Sequence, residues 1–433
     1  MVFDVKVLFV ENRFKTVFWA RCASEIKKLD NNVEIRWLAQ NHYFSPTSDC
    51  FNIPYPKKVD LEYCETPFFS DLEKRDRSVY IYGGRVDHYK YYYDVIYRYL
   101  ENEKPDFVIG EVTLFHEQMV VEACKKLNIQ FLHPSPTRYP LGKFALLDSD
   151  SLNSYDEKEF EVNDEDLAII DGIVNKSIVP SYMSFSIGFT SVRGTIYKLY
   201  NTYTSLRSRL TGECYNTPSP VVKYKFQKML ANNKSRLERC AQRDQVSHDD
   251  LVNGILYPLQ MQPEANLDVW GYPHNDQLKN LKRLVSVLQE GEKVIVKPNP
   301  RSKYELSDEL LDYVESCDRV VCLSQKTKMT DIFDSVCRVY SVTGTVGIET
   351  ILAQKALITE KESLFYGYPN SHYVEDSQIL PAEVKFPLER IITHSRGNSY
   401  FGEISDPIYS KTCTLDTNVK LVAGQLLKKL KES

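Results

Sequence analysis

The sequence lacks several features that would each define a class of protein. It has no Cys-x-x-Cys pair, which argues against a zinc ribbon or a thioredoxin-type site, and its ten scattered cysteines fit a reducing cytoplasm. No apolar run approaches the ~18 residues that span a bilayer, and residues 1–10 are too short and too acidic for a signal peptide. With 54 Lys and Arg against 59 Asp and Glu, the net charge of −5 argues against a general nucleic-acid binder. We therefore expect a cytoplasmic protein that does not bind nucleic acid.

The chain is long enough for two domains. Its 433 residues, 42% of them hydrophobic, fit two globular domains of roughly 150–200 residues. Strand-like and helix-like segments alternate over residues 1–147 and again over residues 251–395, which predicts two α/β domains with parallel sheets. Residues 148–250 begin acidic and continue as helices that contain Lys, Arg and Tyr, so we interpret them as a helical insertion or linker. Residues 396–433 are predicted to be a tail that ends in a helix.

Polar residues follow many of the predicted strands. Ligands of open α/β sheets bind beyond the carboxyl ends of the strands. Two such sheets in tandem therefore predict one active site in a cleft between the domains. The residues concerned are 11–13, 111, 133–138, 260–264, 297–301, 324 and 343–349.

Residues 341–350 (SVTGTVGIET) form the most informative segment. An apolar strand-like run precedes a turn of small residues, and a helix-like segment follows it. Such a turn exposes backbone N–H groups at a helix N-terminus, which favours a phosphate or a carboxylate. Thr343, Gly344 and Thr345 are therefore candidate anion-binding residues, because small side chains let a ligand approach the backbone. An ordinary strand-to-helix turn that binds nothing is the alternative.

Three ordered motifs in the C-terminal half carry a resemblance to a known family. They are residues 257–264 (YPLQMQPE), 296–301 (VKPNPR) and 343–349 (TGTVGIE), and they end near residues 365–367 (FYG). Together with residues 109–113 (IGEVT) and 136–138 (PTR), they resemble the bacterial capsule-polysaccharide biosynthesis glycosyltransferases, a Kdo-transferase-like family with a GT-B fold.

The resemblance implies a GT-B-like α/β chain, in which two Rossmann-type domains face a cleft and the helical insertion lies between them. It implies a metal-independent glycosyltransferase without a cofactor. Such an enzyme moves a sugar from a nucleotide-activated donor, CMP-Kdo or another nucleotide sugar, to a growing surface or capsular polysaccharide. Related CMP-sugar enzymes carry His-Pro where this chain has Asn299-Pro300, and Asn cannot carry a proton at neutral pH. This departure argues against CMP-Kdo and leaves other nucleotide sugars open.

On this resemblance the C-terminal domain binds the donor. Lys297 and Arg301 lie on either side of Asn299 in the sequence, and they would neutralise a phosphate or carboxylate of the donor. Gln262 would contact the sugar or the base, and Glu349, predicted in the first turn of a helix, would bond ribose hydroxyls. The alternative for Lys297 and Arg301 is that they are solvated charges at a strand end. For Gln262 it is a polar group that closes a strand, and for Glu349 it is a favourable interaction with the helix dipole. The donor-binding candidates are Gln262, Lys297, Asn299, Arg301, Thr343, Gly344, Thr345 and Glu349.

Glu111 is the first catalytic candidate, because it follows a short apolar strand. In an inverting enzyme it would deprotonate the acceptor hydroxyl, and in a retaining enzyme it would attack the anomeric carbon. The sequence leaves both routes open, and a strand-end or helix-capping carboxylate is the alternative. His116 and Glu117 are second choices. Arg13 and Arg138 are the acceptor-binding candidates.

Other functions remain open from the sequence. Asp148-Ser149-Asp150 follows an apolar run, as the metal-binding DxD of GT-A transferases does, although the acidic stretch continues beyond it. A phosphotransferase that uses a CDP-alcohol, a sugar-nucleotide epimerase and a non-catalytic carbohydrate- or nucleotide-binding protein are further alternatives. The expected partners are a nucleotide sugar and an oligosaccharide or glycolipid acceptor. Basic and aromatic residues around 198–209 leave open a peripheral contact with the inner face of the membrane, or assembly with other polysaccharide-synthesis proteins.

Overall fold

The chain folds into two compact units, each with its own sheet. The computed structural model describes residues 5–137, 142–152, 163–175, 192–216, 218–366, 368, 370–374, 399–408 and 410–432. Unit 1 comprises Met1–Lys158, Val179–Pro218 and Ser395–Ser433, and unit 2 comprises Glu159–Ile178 and Ser219–His394. Residues 148–250 are therefore divided between the two units, and residues 396–433 belong to unit 1.

The described strands and helices alternate along most of the chain. The strands are β1 (Val5–Val10), β2 (Val33–Ala39), β3 (Cys50–Asn52), β4 (Phe107–Ile109), β5 (Gln130–Pro136), β6 (Lys143–Asp148), β7 (Ile255–Pro258), β8 (Val294–Lys297), β9 (Val320–Cys322), β10 (Arg338–Tyr340), β11 (Ala356–Thr359), β12 (Ser371–Tyr373) and β13 (Tyr400–Phe401). The α-helices are α1 (Thr16–Leu29), α2 (Pro67–Arg75), α3 (Arg77–Tyr80), α4 (Tyr89–Glu103), α5 (Phe115–Leu127), α6 (Asp164–Val174), α7 (Val192–Thr211), α8 (Pro220–Asp244), α9 (His248–Asn253), α10 (Ala265–Asp268), α11 (Gln277–Val287), α12 (Asp308–Ser316), α13 (Met329–Ile332), α14 (Thr345–Leu352) and α15 (Asp416–Glu432). Short 3-10 helices include Arg13–Lys15, His42–Phe44, Lys58–Asp60, Phe333–Ser335 and Thr412–Thr414.

Unit 1 is built on a seven-stranded sheet in the order β13-β6-β5-β4-β1-β2-β3. The strands β1 to β5 pair in parallel, whereas β6 runs antiparallel to β5, and β13 antiparallel to β6. The register places Val7 of β1 opposite Ile35 of β2 and Phe107 of β4. The order 3-2-1-4-5 of the parallel strands is that of a Rossmann-type sheet, and it reverses between β1 and β4.

The core of unit 1 joins the sheet to the first and last helices. Phe9 of β1 stacks on Trp37 of β2 with ring centroids 5.0 Å apart. The helix α1 buries Phe18 and Ile26 in the same cluster, and α15 adds Leu426 to it. Parallel strands are covered on both faces, and β1 accordingly consists almost entirely of apolar residues. The C-terminal helix is therefore part of the core of unit 1.

Unit 2 is built on a six-stranded parallel sheet in the order β12-β11-β10-β7-β8-β9. In chain order this is the 3-2-1-4-5-6 arrangement of a Rossmann-type sheet, and it reverses between β7 and β10. The long helix α8 contributes Leu237 and Cys240 to the core of this unit. The predicted fold class, α/β with two Rossmann-type domains, is confirmed by these two strand orders.

Candidate functional site

The carboxyl edge of unit 2 has a direct link between the two strands where the strand order reverses. Gln260 follows β7, and Thr343 follows β10. The Gln260 amide donates from Nε2 to Thr343 Oγ1 (2.8 Å), and its Oε1 accepts from the Thr343 backbone N–H (3.2 Å). Thr343 is only 2% exposed. Because its hydroxyl oxygen accepts the bond from Gln260, the hydroxyl hydrogen can still be donated to a ligand.

The turn after Thr343 leads directly into α14. The Gly344 N–H donates to Ser341 Oγ (3.1 Å), and a Cβ at Gly344 would lie 2.9 Å from that hydroxyl. A side chain here would thus displace the group that holds the turn. Within the described ranges, no acceptor faces the backbone N–H groups of Thr345 and Val346, the first two residues of the helix. The predicted strand, small-residue turn and helix are therefore present, with donor groups directed out of the helix N-terminus.

Lys297 ends β8, the strand next to β7. Its side chain is 3% exposed, and its Nζ donates to the Pro298 backbone oxygen (2.9 Å). No carboxylate of the described residues forms an ion pair with it, and burial lowers the pKa of the ammonium group. An ammonium group has three donors, and a buried cation without a counter-ion is costly. The position therefore favours binding of an anion.

The loop after β8 is fixed by its own polar groups. Asn299 Oδ1 accepts from the Arg301 N–H (2.8 Å), and the Asn299 backbone oxygen accepts from Ser302 Oγ (2.7 Å). From the end of β9, Gln325 Nε2 also donates to that backbone oxygen (3.0 Å). The Arg301 side chain is exposed. The loop thus holds Asn299 in a tight turn while Arg301 faces solvent.

Gln262 is buried and its amide is fully engaged. Its Nε2 donates to Asp268 Oδ1 (2.6 Å) and to the Asn275 backbone oxygen (3.1 Å), and its Oε1 accepts from Gln277 Nε2 (2.9 Å). Its backbone N–H donates to Glu305 Oε2 (3.1 Å). These bonds join three segments of unit 2 and hold the loop after β7 in place.

Glu349 lies deeper in its helix than the sequence indicates. The sequence pattern predicts a helix-like segment over residues 348–354, whereas α14 begins three residues earlier, at Thr345. Glu349 therefore falls in the second turn, and its placement in the first turn was wrong. The side chain is 8% exposed. The small residues Thr345 and Gly347 have low helix propensity, which is why the sequence pattern places the helix start too late.

At the carboxyl edge of unit 1, Glu111 is held by two donors. Lys15 Nζ lies 2.5 Å from Glu111 Oε1, and Trp19 Nε1 donates to the same oxygen (3.2 Å). The side chains of Lys15 and Glu111 are 11% and 10% exposed. The other oxygen, Oε2, has no partner among the described residues. This pair was not predicted, because Lys15 and Glu111 follow different strands and only the parallel pairing of β1 with β4 brings them together.

Glu117 is a carboxylate of unit 1 that accepts four hydrogen bonds. Its Oε2 accepts from the Thr113 N–H (2.8 Å), the Thr113 hydroxyl (2.9 Å) and the Leu114 N–H (2.8 Å). Its Oε1 accepts from Asn12 Nδ2 (2.8 Å). Burial, aided by the nearby charge of Glu111, raises the pKa of Glu117 to about 8, while the hydrogen bonds from Asn12 and from the backbone of Thr113 and Leu114 act in the opposite sense. The residue caps α5 and ties the loop after β1 to the loop after β4.

His116 is fully buried between polar groups of unit 1. Its Nε2 lies 3.1 Å from the Glu11 backbone oxygen, and its Nδ1 lies 3.4 Å from Asn216 Nδ2. Burial lowers its pKa to about 3. A neutral imidazole in this position can orient Glu11 and Asn216 but offers no proton acceptor to solvent. The structure thus places it beside the carboxyl edge, inside the protein.

Of the two acceptor-binding candidates, Arg13 is described and Arg138 lies outside the described residues. Arg13 has a left-handed backbone with a φ of 43°, which is uncommon for a residue with a long side chain. Its backbone N–H donates to Glu11 Oε1 (2.6 Å), and its guanidinium group donates to the Asn216 backbone oxygen. Arg13 also lines a groove on the surface of unit 1.

The Asp148-Ser149-Asp150 motif forms ion pairs in the structure. Asp148 ends β6, and Asp150 Oδ1 and Oδ2 lie 2.5 Å from Lys125 Nζ and 3.7 Å from Arg75 Nη1. In the described part of the chain, no three His, Cys, Asp or Glu side chains are grouped so as to hold a metal ion. None of the helices in that part is long and apolar enough to cross a membrane.

Comparisons with known proteins give distant likenesses only. No family model and no curated protein matches the sequence. Among solved structures, the chain is similar to Thermosulfurimonas dismutans KpsC, a β-Kdo 2,7-transferase (11% identity over 98% of this chain and 99% of that chain, TM-score 0.36). It is also similar to a sucrose-phosphate synthase from Thermosynechococcus elongatus (10%, 99% and 99%, TM-score 0.32) and to a UDP-GlcNAc 2-epimerase from Methanocaldococcus jannaschii crystallised with UDP-GlcNAc and UDP (13%, 98% and 99%, TM-score 0.28). Values this low do not identify a family.

Proposed function

We propose that this protein is a nucleotide-sugar-dependent glycosyltransferase that extends a surface or capsular polysaccharide. The observation that carries the proposal is the carboxyl edge of unit 2, at the strands β10, β7 and β8. There a helix N-terminus with two free N–H groups, the hydroxyl of Thr343 and the buried ammonium of Lys297 follow adjacent strands of one sheet. These are donors suited to phosphate, and strand-order reversals of open sheets are where nucleotides bind.

Donor binding is assigned to unit 2. The phosphate of the nucleotide lies at Gly344 and Thr345, with Thr343 donating its hydroxyl hydrogen and Lys297 supplying positive charge. Asn299 and Arg301 contact the polar remainder of the donor from the loop after β8, and Glu349 accepts from ribose hydroxyls. Gln262 supports donor binding by holding the loop after β7 in place, because its amide is already hydrogen-bonded within unit 2.

Glu111 of unit 1 is assigned as the general base. Its free Oε2 accepts the proton of the acceptor hydroxyl, while Lys15 and Trp19 hold Oε1. The acceptor oxygen forms a bond to the anomeric carbon of the sugar. The bond from that carbon to the phosphate oxygen breaks, and its electron pair leaves with the nucleotide. This route inverts the anomeric configuration. A product with retained anomeric configuration would instead indicate that Glu111 is the nucleophile. His116 keeps a positioning role, since its pKa is too low for acid catalysis.

The test begins with nucleotide binding. Thermal unfolding is followed with CMP, UDP, GDP or ADP for the wild type, for Lys297→Met and for Lys279→Met. Lys279 is an exposed lysine of the same unit and serves as the control. A nucleotide at ~100 times its dissociation constant should add about 2.7 kcal/mol of stability. We expect one nucleotide to stabilise the wild type and Lys279→Met, and to have a much smaller effect on Lys297→Met.

Turnover then separates the enzyme classes. Transfer of sugar to an acceptor supports the proposal, and conversion of the nucleotide sugar without an acceptor would indicate an epimerase. Tight nucleotide binding without turnover of any donor would indicate a binding protein. If none of the nucleotides stabilises the wild type at concentrations far above the expected affinity, the donor site is wrongly assigned.

A further inference from the structure

Unit 1 has a surface groove of about 680 Å³, and Arg13 is the one residue of its lining that the sequence analysis names as a candidate for ligand binding. Its volume lies within the about 300–1,000 Å³ typical of ligand sites. One wall is the outer face of α1, where Val17, Ala20, Ser24 and Lys28 lie about one turn apart. The other walls come from the loop after β2, from α7 and from the start of α15.

Four aromatic side chains meet at one end of the groove. Phe14 packs edge-on against Phe44 with ring centroids 4.9 Å apart, and its ring lies 5.9 Å from that of Tyr200. Tyr43 packs against Phe44 at 5.1 Å, and its hydroxyl lies 3.3 Å from the Tyr200 hydroxyl. Tyr200 is 46% exposed. Flat apolar rings with hydroxyl tips suit the C–H faces and hydroxyl groups of a sugar.

The charges of the groove are unbalanced. Its two carboxylates are already paired, Asp416 with Arg21 (2.5 Å) and Glu25 with Lys28 (3.0 Å). The other two cations in the lining, Arg13 and Lys420, form no ion pair with any described carboxylate. The groove therefore has two positive charges that a ligand can neutralise. A neutral sugar chain would leave both charges without a carboxylate partner.

We propose that this groove binds an acidic oligosaccharide, namely the portion of the acceptor chain that precedes its reacting end. The inference rests on the proposed glycosyltransferase function and adds the chemical class of the acceptor. The rings of Phe14, Phe44 and Tyr200 stack on the sugars, and Arg13 and Lys420 bind their carboxylates. Arg13 lines the groove and follows β1 at the sheet edge where Glu111 follows β4. One residue of the groove lining therefore lies at the sheet edge that carries the proposed base.

The test measures binding of three acidic probes by calorimetry: trigalacturonate, a hyaluronan tetrasaccharide and a sialic acid trimer. Maltotriose is the neutral control. The variants are Tyr200→Ala and Lys420→Ala, each matched with a substitution outside the groove. The control for Tyr200→Ala is Tyr203→Ala, because Tyr203 lies on the same helix and is 53% exposed. The control for Lys420→Ala is Lys411→Ala, because Lys411 is another exposed lysine of unit 1.

We expect at least one acidic probe to bind more tightly than maltotriose and to lose affinity as salt is added. Tyr200→Ala and Lys420→Ala should each weaken it about fivefold or more, and both controls should stay within about twofold of the wild type. Equal binding by all variants, equal binding of maltotriose, or binding of no acidic probe would overturn the inference. Nucleotide stabilisation of the same preparations keeps the two proposals separate. If nucleotides bind and acidic probes do not, only the groove assignment fails, whereas acidic-probe binding without any nucleotide effect would count against the donor site.

Discussion

Lys15 Nζ lies 2.5 Å from Glu111 Oε1, and this ion pair joins the end of β1 to the end of β4. The pair is almost closed to solvent, so each charge depends on the other. It makes Glu111 important for stability whether or not it takes part in catalysis. A simple loss of activity in a Glu111 variant would therefore not show a catalytic role.

A rescue experiment separates the two roles of Glu111. Glu111→Gln should lower the free energy of unfolding by about 3 kcal/mol, because it removes the ion-pair partner of the mostly buried Lys15 ammonium. Adding Lys15→Met should restore most of that loss, since no isolated charge then remains. If Glu111 is the base, the double variant unfolds like the wild type in urea yet transfers no sugar. Activity that returns together with stability would show that Glu111 is only structural.

Lys297→Met should raise the thermal stability of the protein without ligand. Burial lowers the pKa of this ammonium group, so the folded state disfavours its charge relative to the unfolded chain. Replacing the charge with an apolar side chain of similar size should add about 1 kcal/mol or more and raise Tm by about 2–4 °C. The exposed control Lys279→Met should leave Tm unchanged. A residue kept at a cost in stability is expected at a binding site, so a lower Tm for Lys297→Met would contradict the anion-site assignment.

Glu117 should make stability depend on pH. Its folded pKa is raised from 4.5 to about 8, so the folded state binds the extra proton between these values while the unfolded state does not. Stability should thus fall as pH rises from about 5 to about 8, by an amount on the order of a few kcal/mol, and should change little above that range. Glu117→Gln should flatten this part of the curve, since a Gln oxygen can still accept the bonds from Thr113 and Leu114.

The control for that measurement is Glu122→Gln on the same helix. Glu122 is partly exposed and lies 3.4 Å from Lys126. The difference in unfolding free energy between the wild type and each variant is measured across the pH range. If the difference in unfolding free energy between the wild type and Glu117→Gln changes with pH while the difference for Glu122→Gln does not, the raised pKa of Glu117 is supported. Parallel curves for Glu117→Gln and the wild type would show that Glu117 stays ionised throughout.

The fold was predictable because the sequence pattern and the local structure agree. The sequence pattern predicts helices over residues 16–29 and 115–127 and a strand over residues 356–359, and α1, α5 and β11 have these bounds. It also predicts a Tyr-rich helix over residues 78–103 with a break at Gly83-Gly84, and in the structure α3 and α4 lie on either side of that pair, where Gly83 has a φ of 64°. The short strands β3 and β12, of three residues each, were not predicted. The equally short strands β4, β9 and β10 are fully buried and mostly apolar, whereas β3 (CFN) and β12 (SHY) are only partly buried and contain polar residues, so their pairing partners decide them.

The site was only partly predictable, for a related reason. Lys297 and Glu111 could be singled out because each lies at the end of an apolar strand. After β7, however, Gln262 was selected rather than Gln260, and the structure shows that Gln260 is the residue bonded to Thr343. The bond from Gln260 to Thr343 and the ion pair from Lys15 to Glu111 depend on which strands are neighbours, and single-sequence patterns do not contain strand order. Burial is equally hidden. Histidine often acts as an acid or base in catalysis, yet burial of His116 lowers its pKa to about 3.

The link between Gln260 and Thr343 should be measurable as a coupling energy. Thr343→Val removes the hydroxyl, and Gln260→Met removes the amide, while both keep side-chain volume. Because both changes remove the same 2.8 Å bond, the double variant should lose about 1 kcal/mol less than the sum of the single losses in urea unfolding. Nucleotide affinity should fall more in Thr343→Val than in Gln260→Met, since only the former loses the hydroxyl proposed to bind phosphate. Additive stability losses, or a larger loss of nucleotide affinity in Gln260→Met, would mean that the strand-order reversal of unit 2 does not bind the phosphate as proposed.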